Sequence, residues 1–346
     1  MAISKQSYVM RPAALTDFDA LHAMAVESGP GFTSLPVDEA ILRNSLLKSV
    51  DSFAGRLPQP NYGKYLMMLE NAETGDIGGC SAVKAGTGVE APFFNYRIIT
   101  LAQASQAAQR RFDMDALILT NEFVGFTEVG TLFLRQKHRG AGAGRLLAQS
   151  RYLLMTTKPE WFGERVLAEL RGVVDQDGST PFWECLGRHF FRMSFPEADY
   201  LSATTDNQFI LDLMPSYPVY VDLLPPEARE VIGRCHVDGV PAYKLLEWEG
   251  FRFEKVVDIF DGGPIMQAER RMIRTIRESR VVELDVGVAK GHRGLAATLD
   301  LQTYRATTIE GAAMGEKRFI TTQDTLDRLQ LKRGDKARIW IRTDAP

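Results

Sequence analysis

Three glycines at alternate positions, Gly140, Gly142 and Gly144, follow Arg139 and are interleaved with Ala141 and Ala143. Ahead of them runs a short apolar stretch from Val129 to Leu134, preceded by Glu128. Behind them a helical pattern begins at Arg145, apolar at Leu146, Leu147, Leu153 and Leu154. Glycines at this density let a backbone turn tightly and aim several N–H groups at one point. The helix that follows adds unpaired first-turn N–H groups and the positive end of its dipole. Such a strand–loop–helix unit can cradle a phosphate or pyrophosphate. Its G-x-G-x-G spacing is not the G-x-G-x-x-G of dinucleotide sites, and no Lys-Ser/Thr follows as in a Walker loop. A flexible strand-to-helix connection is the plainer reading of the same glycines.

The surrounding elements must position that loop. Tyr8 to Arg11 reads as a first strand, Thr16 opens a helix to about Glu27, and a second helix starts near Pro36. Tyr65–Leu69 and Ile77–Ala85 read as strands joined across Glu73-Thr74-Gly75-Asp76. Asn95–Leu101, Ala116–Thr120 and Val166–Leu170 are further strand candidates. Pro181–His189 reads as a helix, and Ala242–Val257 as a helix followed by a strand, with Gly187 and Gly250 as helix-ending glycines. Residues 265–280 read as a helix carrying Arg270, Arg274 and Arg277 on one face. From Val281 onward short β-type runs (Val281–Val286, Arg318–Thr321, Ala337–Thr343) predict a small all-β, barrel-like appendage. The order predicts an α+β fold, a mixed sheet flanked by helices. The division expected is 1–280, with additional α+β elements at about 195–280, and 281–346.

Composition narrows the function classes. The chain has 346 residues, 45% of them apolar and 25% charged, as ordinary soluble domains do. A net charge of −3 gives no electrostatic footprint for nucleic acid or an anionic membrane. No signal-peptide h-region or membrane-length apolar run is seen, so a cytoplasmic protein is expected. Cys80, Cys185 and Cys235 stand far apart, which suggests neither a disulfide framework nor a metal site.

Several runs carry a resemblance. R-x-x-G-x-G after a strand resembles the pyrophosphate loop of GNAT-type acyl-CoA N-acyltransferases. More specifically, MRPA at Met10, TSLP at Thr33, NYR at Asn95, TLFL at Thr131, AELRGVVDQDG at Ala168 and PFWECLGRHFF at Pro181 resemble the arginine N-succinyltransferase family. ADYL at Ala198, LMPSYPVYVDLLP at Leu213, VIG at Val231, EGFRF at Glu249 and DIFDGGP at Asp258 continue the match in the family's order. It covers roughly residues 8 to 280. The resemblance implies a GNAT-like fold and transfer of a succinyl group from succinyl-CoA to the α-amine of L-arginine, with ornithine as a secondary amine. Succinyl-CoA would be a co-substrate; no permanently bound cofactor and no metal are implied. A homo-oligomer is implied, or pairing with a paralogue.

Amine attack on a thioester needs a CoA cradle, a proton acceptor and oxyanion stabilisation. By resemblance, Arg139, Gly140, Ala141, Gly142, Ala143 and Gly144 form the cradle, and the strand residues Leu132, Phe133 and Leu134 lie along the acyl-CoA. Glu128 stands where many GNAT enzymes carry a glutamate that deprotonates the amine through water; a solvated strand-end carboxylate is the other reading. Both substrates carry carboxylates, which guanidinium groups bind well. Arg97, Arg171 and Arg188 lie in family motifs and can serve that purpose or a structural one. Asp175, Asp177, Asp258 and Asp261 are candidates for the substrate guanidinium, although Asp177-Gly178 is also simply a good turn. His189 could move a proton near neutral pH or be packed among Phe190, Phe191 and Trp183. His236 matches a family position, whereas His22 and His138 read as surface residues.

The chain departs from the family in places. The family's H-A-S after NYR is Gln103-Ala104-Ser105 here, and an amide does not titrate. Gln208 and Asp212 replace a lysine and a glutamate, and Gly130 stands where cysteine is common. Two rivals follow: a related acyltransferase of changed amine or acyl specificity, and a non-catalytic partner subunit.

Overall fold

The computed structural model describes residues 7–29, 34–140, 142–175, 178–214, 217–288 and 291–342. Its strands are β1 (Tyr8–Pro12), β2 (Lys64–Asn71), β3 (Ile77–Lys84), β4 (Asn95–Ser105), β5 (Arg110–Thr120), β6 (Thr127–Leu134), β7 (Arg165–Glu169) and β8 (Val219–Tyr220). They continue with β9 (Arg252–Asp258), β10 (Pro264–Glu269), β11 (Arg280–Val286), β12 (His292–Ala297), β13 (Ala306–Met314), β14 (Arg318–Thr321) and β15 (Lys336–Ile341). All belong to one sheet, in the order β12-β15-β11-β14-β13-β1-β2-β3-β6-β7-β10-β9-β4-β5-β8. An additional β12–β13 pairing closes β11 to β15 into a five-stranded barrel. The β6–β7 and β11–β14 pairs are parallel, the remaining pairs antiparallel.

The helices are α1 (Phe18–Ser28), α2 (Glu39–Phe53), α3 (Ala143–Met155), α4 (Arg188–Phe191), α5 (Phe195–Thr204), α6 (Gln208–Leu213), α7 (Pro226–Val231), α8 (Val240–Glu249), α9 (Arg274–Glu278) and α10 (Gln323–Leu329). The sheet centre is covered on both sides, so its strands read as apolar runs rather than alternations. On β2, Tyr65, Met67 and Leu69 face α3 with Leu146, Leu147, Leu153 and Leu154. Leu66 and Met68 face the opposite way, against Leu21 of α1 and Leu42 and Leu46 of α2. Beyond the centre, Phe182, Trp183, Phe191 and Phe195 pack with Tyr96 and Val257 in a separate core. Buried Glu249 of α8 accepts from Gln149 Nε2 (2.7 Å) of α3 and from the Thr275 amide (2.9 Å) of α9, tying three helices together. Among the described residues no helix is long and apolar enough to cross a membrane.

The hairpin across Glu73–Asp76, the strand after Gly250 and three of the five barrel strands, β11, β14 and β15, lie where the sequence placed them, whereas β12 and β13 were not foreseen. Three readings are corrected. Residues 265–280 are not one helix: Pro264–Glu269 is a strand paired on both sides, and only Arg274–Glu278 is α-helical. Met266 faces the α3 core while Ile265 faces another, so burial on both faces conceals the strand's alternation. Gly187 does not end a helix through a left-handed residue. It sits within a π-helical turn, Trp183–Gly187, where a Cβ would meet Trp183 Cε3 at 2.3 Å. The C-terminal barrel is not all-β, because α10 packs into it through Leu326 and Leu329. The barrel joins the rest of the sheet through β13, which pairs with β1, Val9 opposite Thr307 and Met10 opposite Ala306.

Candidate active site

Glu128 and the glycine loop lie at opposite ends of β6. Parallel strands β6 and β7 are in register at Thr127↔Val166 and Glu128↔Leu167, and at no later pair. Past Glu128 they part into a fork, while β6 stays paired with β3 on its other side. That second pairing is itself broken: Ala82 opposes Gly130 and Cys80 opposes Phe133, so two residues of β6 bulge opposite Ser81. Thr131 sits in the bulge at φ 50°, a conformation that a β-branched residue adopts only under strain. Its hydroxyl reaches the Ser34 carbonyl at 3.4 Å. Beneath the fork, buried Arg151 of α3 donates to the Gly130 carbonyl at 3.4 Å.

A cleft of about 390 Å³ opens beside the fork on the α2 side, lined by Glu128, Gly130 and Thr131 of β6 and by Lys48, Lys64 and Lys84. Among the described residues Glu128 makes no hydrogen bond or ion pair, so its carboxylate is free to accept a proton or a hydrogen bond. Gly130 makes room for it, since a Cβ there would approach Glu128 Oε1 to 3.2 Å. Lys48 is paired with Glu90. Lys64 and Lys84 face each other across β2–β3, and Lys84 faces Glu128 across β3–β6.

Where β7 diverges, Glu169 stands next to a second group of carboxylates. Asp258 accepts from the amides of Phe260 (2.7 Å) and Asp261 (2.8 Å), and Asp261 accepts from those of Gly172 (2.6 Å) and Gly263 (2.7 Å). These bonds fold the DIFDGGP turn onto the end of β7. Burial pushes the Glu169 carboxyl well above the carboxylate range, with Asp258, Glu128 and Asp261 adding to the push. Burial, then Asp258, raises Asp261 to about 8, so the trio retains a proton at neutral pH. Asn95 stands opposite Asp258, and both polar atoms of its buried side chain are without a hydrogen-bond partner.

At the far end of β6 the loop meets the conditions for an anion cradle. Gly140 (φ 107°) and Gly142 (φ 82°) occupy conformations that other residues rarely adopt, and a Cβ on either would meet nothing within 4 Å. Gly142 caps α3 without a side-chain hydrogen bond, which leaves first-turn N–H groups for a ligand. Gly144 lies inside the helix, where an added Cβ would make only ordinary contact with Leu134 Cδ2 at 3.6 Å. Ala143 is buried, Arg139 is exposed, and Ala141 lies outside the described residues. Arg145 stacks 5.2 Å from the Trp248 ring, and its Nη1 is buried without a hydrogen-bond partner.

The other residues singled out from sequence are dispersed. Leu132 and Leu134 pack toward α3 and Phe133 toward α1 and α2, so only their backbone can serve a ligand in the fork. Arg97 is paired with Glu122, and Arg188 with Glu184 one helical turn earlier. His189 is exposed on α4. None of these three side chains lines the cleft. Arg171 lies two residues beyond Glu169; its Nε is buried without a hydrogen-bond partner, and its carbonyl accepts the His236 amide at 2.8 Å. His236 Nδ1 accepts the Asp238 amide at 3.2 Å, leaving Nε2 available beside the end of β7. Asp175 is exposed, its backbone bonded to Ser179 (2.8 Å) and Gly178 (3.0 Å), and Asp177 lies outside the described residues. His138 is not a surface residue: it is 4% exposed, hydrogen-bonded to Tyr8 Oη at 2.8 Å, and burial lowers its pKa. Gln103 is exposed on the outer part of β4. Sequence reasoning missed Lys64, Lys84 and Glu169, although the hairpin register alone places the two lysines side by side.

Comparison with known proteins identifies the family. The family described as "Arginine N-succinyltransferase beta subunit" matches residues 8–275, and its C-terminal domain counterpart matches residues 277–340. Proteins named arginine N-succinyltransferase from Salmonella newport and Escherichia fergusonii are each 39% identical over 334 residues, 96% of this chain and 96% of theirs. The fold is similar to the solved structure of arginine/ornithine succinyltransferase subunit AI from Pseudomonas aeruginosa, with a TM-score of 0.88 and 31% identity over 97% of this chain and 99% of that one. Matched along nearly its whole length by family, relatives and fold alike, the chain belongs to the arginine N-succinyltransferase family of succinyltransferase enzymes.

Proposed function

We propose that the protein is a GNAT-like acyl-CoA N-acyltransferase that moves a succinyl group from succinyl-CoA to the α-amine of L-arginine. The fork between β6 and β7 carries this reading. Among the described residues it leaves one edge of β6 without a strand partner beyond Glu128, and the two ends of β6 would hold the two chemistries that the reaction needs. At the loop end, Arg139 to Gly144 and the start of α3 would hold the CoA pyrophosphate, with Arg139 and Arg145 as nearby cations. Backbone N–H groups of Leu132 to Leu134, re-aimed by the bulge at Thr131, would face the thioester oxygen. At the other end Glu128 would accept the proton that the ammonium must lose before its lone pair can attack. The new N–C bond then forms as the C–S bond breaks and the thiolate leaves.

Arg171 and His236, beside the end of β7, would serve the leaving thiolate or the amine. His189, Arg97 and Arg188 are given no part. We further propose a catalytic unit within 1–280, a C-terminal unit within 281–346, and an oligomeric assembly in the cytoplasm. Support for an assembly comes from relatives described as subunits. The test is thiol release from succinyl-CoA by the purified chain, with and without L-arginine, ornithine in a parallel arm. Arginine-dependent release is expected. CoA binding without release on any amine would overturn the reading.

A further inference from the structure

Two like charges meet on one wall of the cleft. Lys64 and Lys84 stand directly opposite each other in the β2–β3 pair, with side chains turned into the cleft that also contains Glu128. Like charges so placed repel. Lys48, the third ammonium on the cleft wall, is already paired with Glu90. Neither the Lys64 nor the Lys84 ammonium has a hydrogen-bond or ion-pair partner among the described residues, and the single carboxylate of Glu128 leaves the group one charge positive. The cost is visible in Lys64, whose ammonium burial pushes down to about 8, Glu128 opposing the shift and Lys84 and Lys48 adding to it.

A bound anion would supply the missing counter-charge, and its chemistry can be specified. The glycine loop lies at the other end of β6, about 20 Å away at ~3.3 Å per residue. The phosphates of a coenzyme seated on that loop therefore end well short of the lysines. What reaches this end of the strand is the acyl group and the amine, and each of those substrates carries a free carboxylate. We propose that Lys64 and Lys84 form a carboxylate receptor that selects for a charged substrate over its neutral isostere. The proposal rests on the succinyl-transfer reading above for the identity of the carboxylate, but not for the existence of the receptor. Ion pairs of this type are strong when partly desolvated.

Turnover of the full chain with succinyl-CoA is compared with that of butyryl-CoA, in which a methyl replaces the carboxylate. L-arginine is likewise compared with L-argininamide. The wild type should favour the charged member of at least one pair by tenfold or more in kcat/KM. K84M should abolish that preference, and K84R should restore it. Collapse in the acyl pair assigns the receptor to the succinyl carboxylate; collapse in the amine pair assigns it to the amine's own. Retained preference in both K84M and K64M, or equal loss with charged and neutral substrates, would overturn the proposal. Calorimetric titration of succinate into wild type and K84M separates the two readings. Succinate binding abolished by K84M would uphold the receptor even if succinyl-CoA were not turned over, and an absence of both binding and preference would sink it.

Discussion

Glu128 pairs with Leu167, and past that pair the parallel strands β6 and β7 diverge. The last shared register thus puts a carboxylate at the point where the sheet opens. Glu128→Gln keeps the shape and removes the proton acceptor. It should lower kcat by roughly a hundredfold or more while leaving acyl-CoA affinity within a few-fold. Steady-state kinetics across pH are the check, and an unchanged pH–rate profile would remove Glu128 from the reaction.

Gly142 is held at φ 82° at the start of α3. Gly142→Ala adds about 1 kcal/mol of backbone strain, whereas Gly142→Asp also places a negative charge against the anion site. The Kd for CoA should rise at least tenfold further for Asp than for Ala. Equal affinities in the two variants would mean that the pyrophosphate is held elsewhere.

Lys64 bears on stability as well as binding. With its folded value pushed to about 8 from an ordinary 10.5, the unfolded chain holds this proton more tightly. Protonated Lys64 therefore opposes folding at neutral pH, and the opposition fades as pH rises from about 8 to about 10.5. Lys64→Met should melt at a higher temperature than the wild type at pH 7, with the two curves converging near pH 10. A gap that does not change with pH would assign the difference to packing instead.

The carboxylates at the end of β7 behave in the opposite sense. Asp261, raised to about 8 by burial and by Asp258, keeps a proton that the unfolded chain releases near pH 4. The stability this provides is complete below pH 4 and is lost as pH rises through about 8. Glu169 is raised for the same reason, and Glu169→Gln imitates its protonated form. That variant should fold normally at pH 7 and lose less melting temperature than the wild type between pH 5 and pH 9. Parallel melting curves would show that Glu169 is ionised in the fold.

The parts of the site visible in the sequence were those written locally. The glycine loop carries its conformation in its own residues, and the Glu73–Asp76 turn fixes the β2–β3 hairpin. With that hairpin comes the register that opposes Lys64 to Lys84. The fork was not legible, because Thr127 meets Val166 only through the sheet, across the whole of α3. Strand β10 was hidden for the same reason: its partners β7 and β9 impose extended backbone on a segment whose charges and Met residues suit a helix. Ion pairing was equally invisible in the sequence: Arg97 and Arg188 sit in family-like runs and are engaged with Glu122 and Glu184.

The pairing of β1 with β13 has a consequence for how the molecule is made. One edge of β1 finds its partner, Ala306 and Thr307, only after the barrel segment far downstream has been synthesised. Until then β1 presents unsatisfied N–H and C=O groups, the template that unwanted strand addition uses. A chain halted before the barrel would carry that open edge permanently, and its first failing would be self-association rather than loss of chemistry.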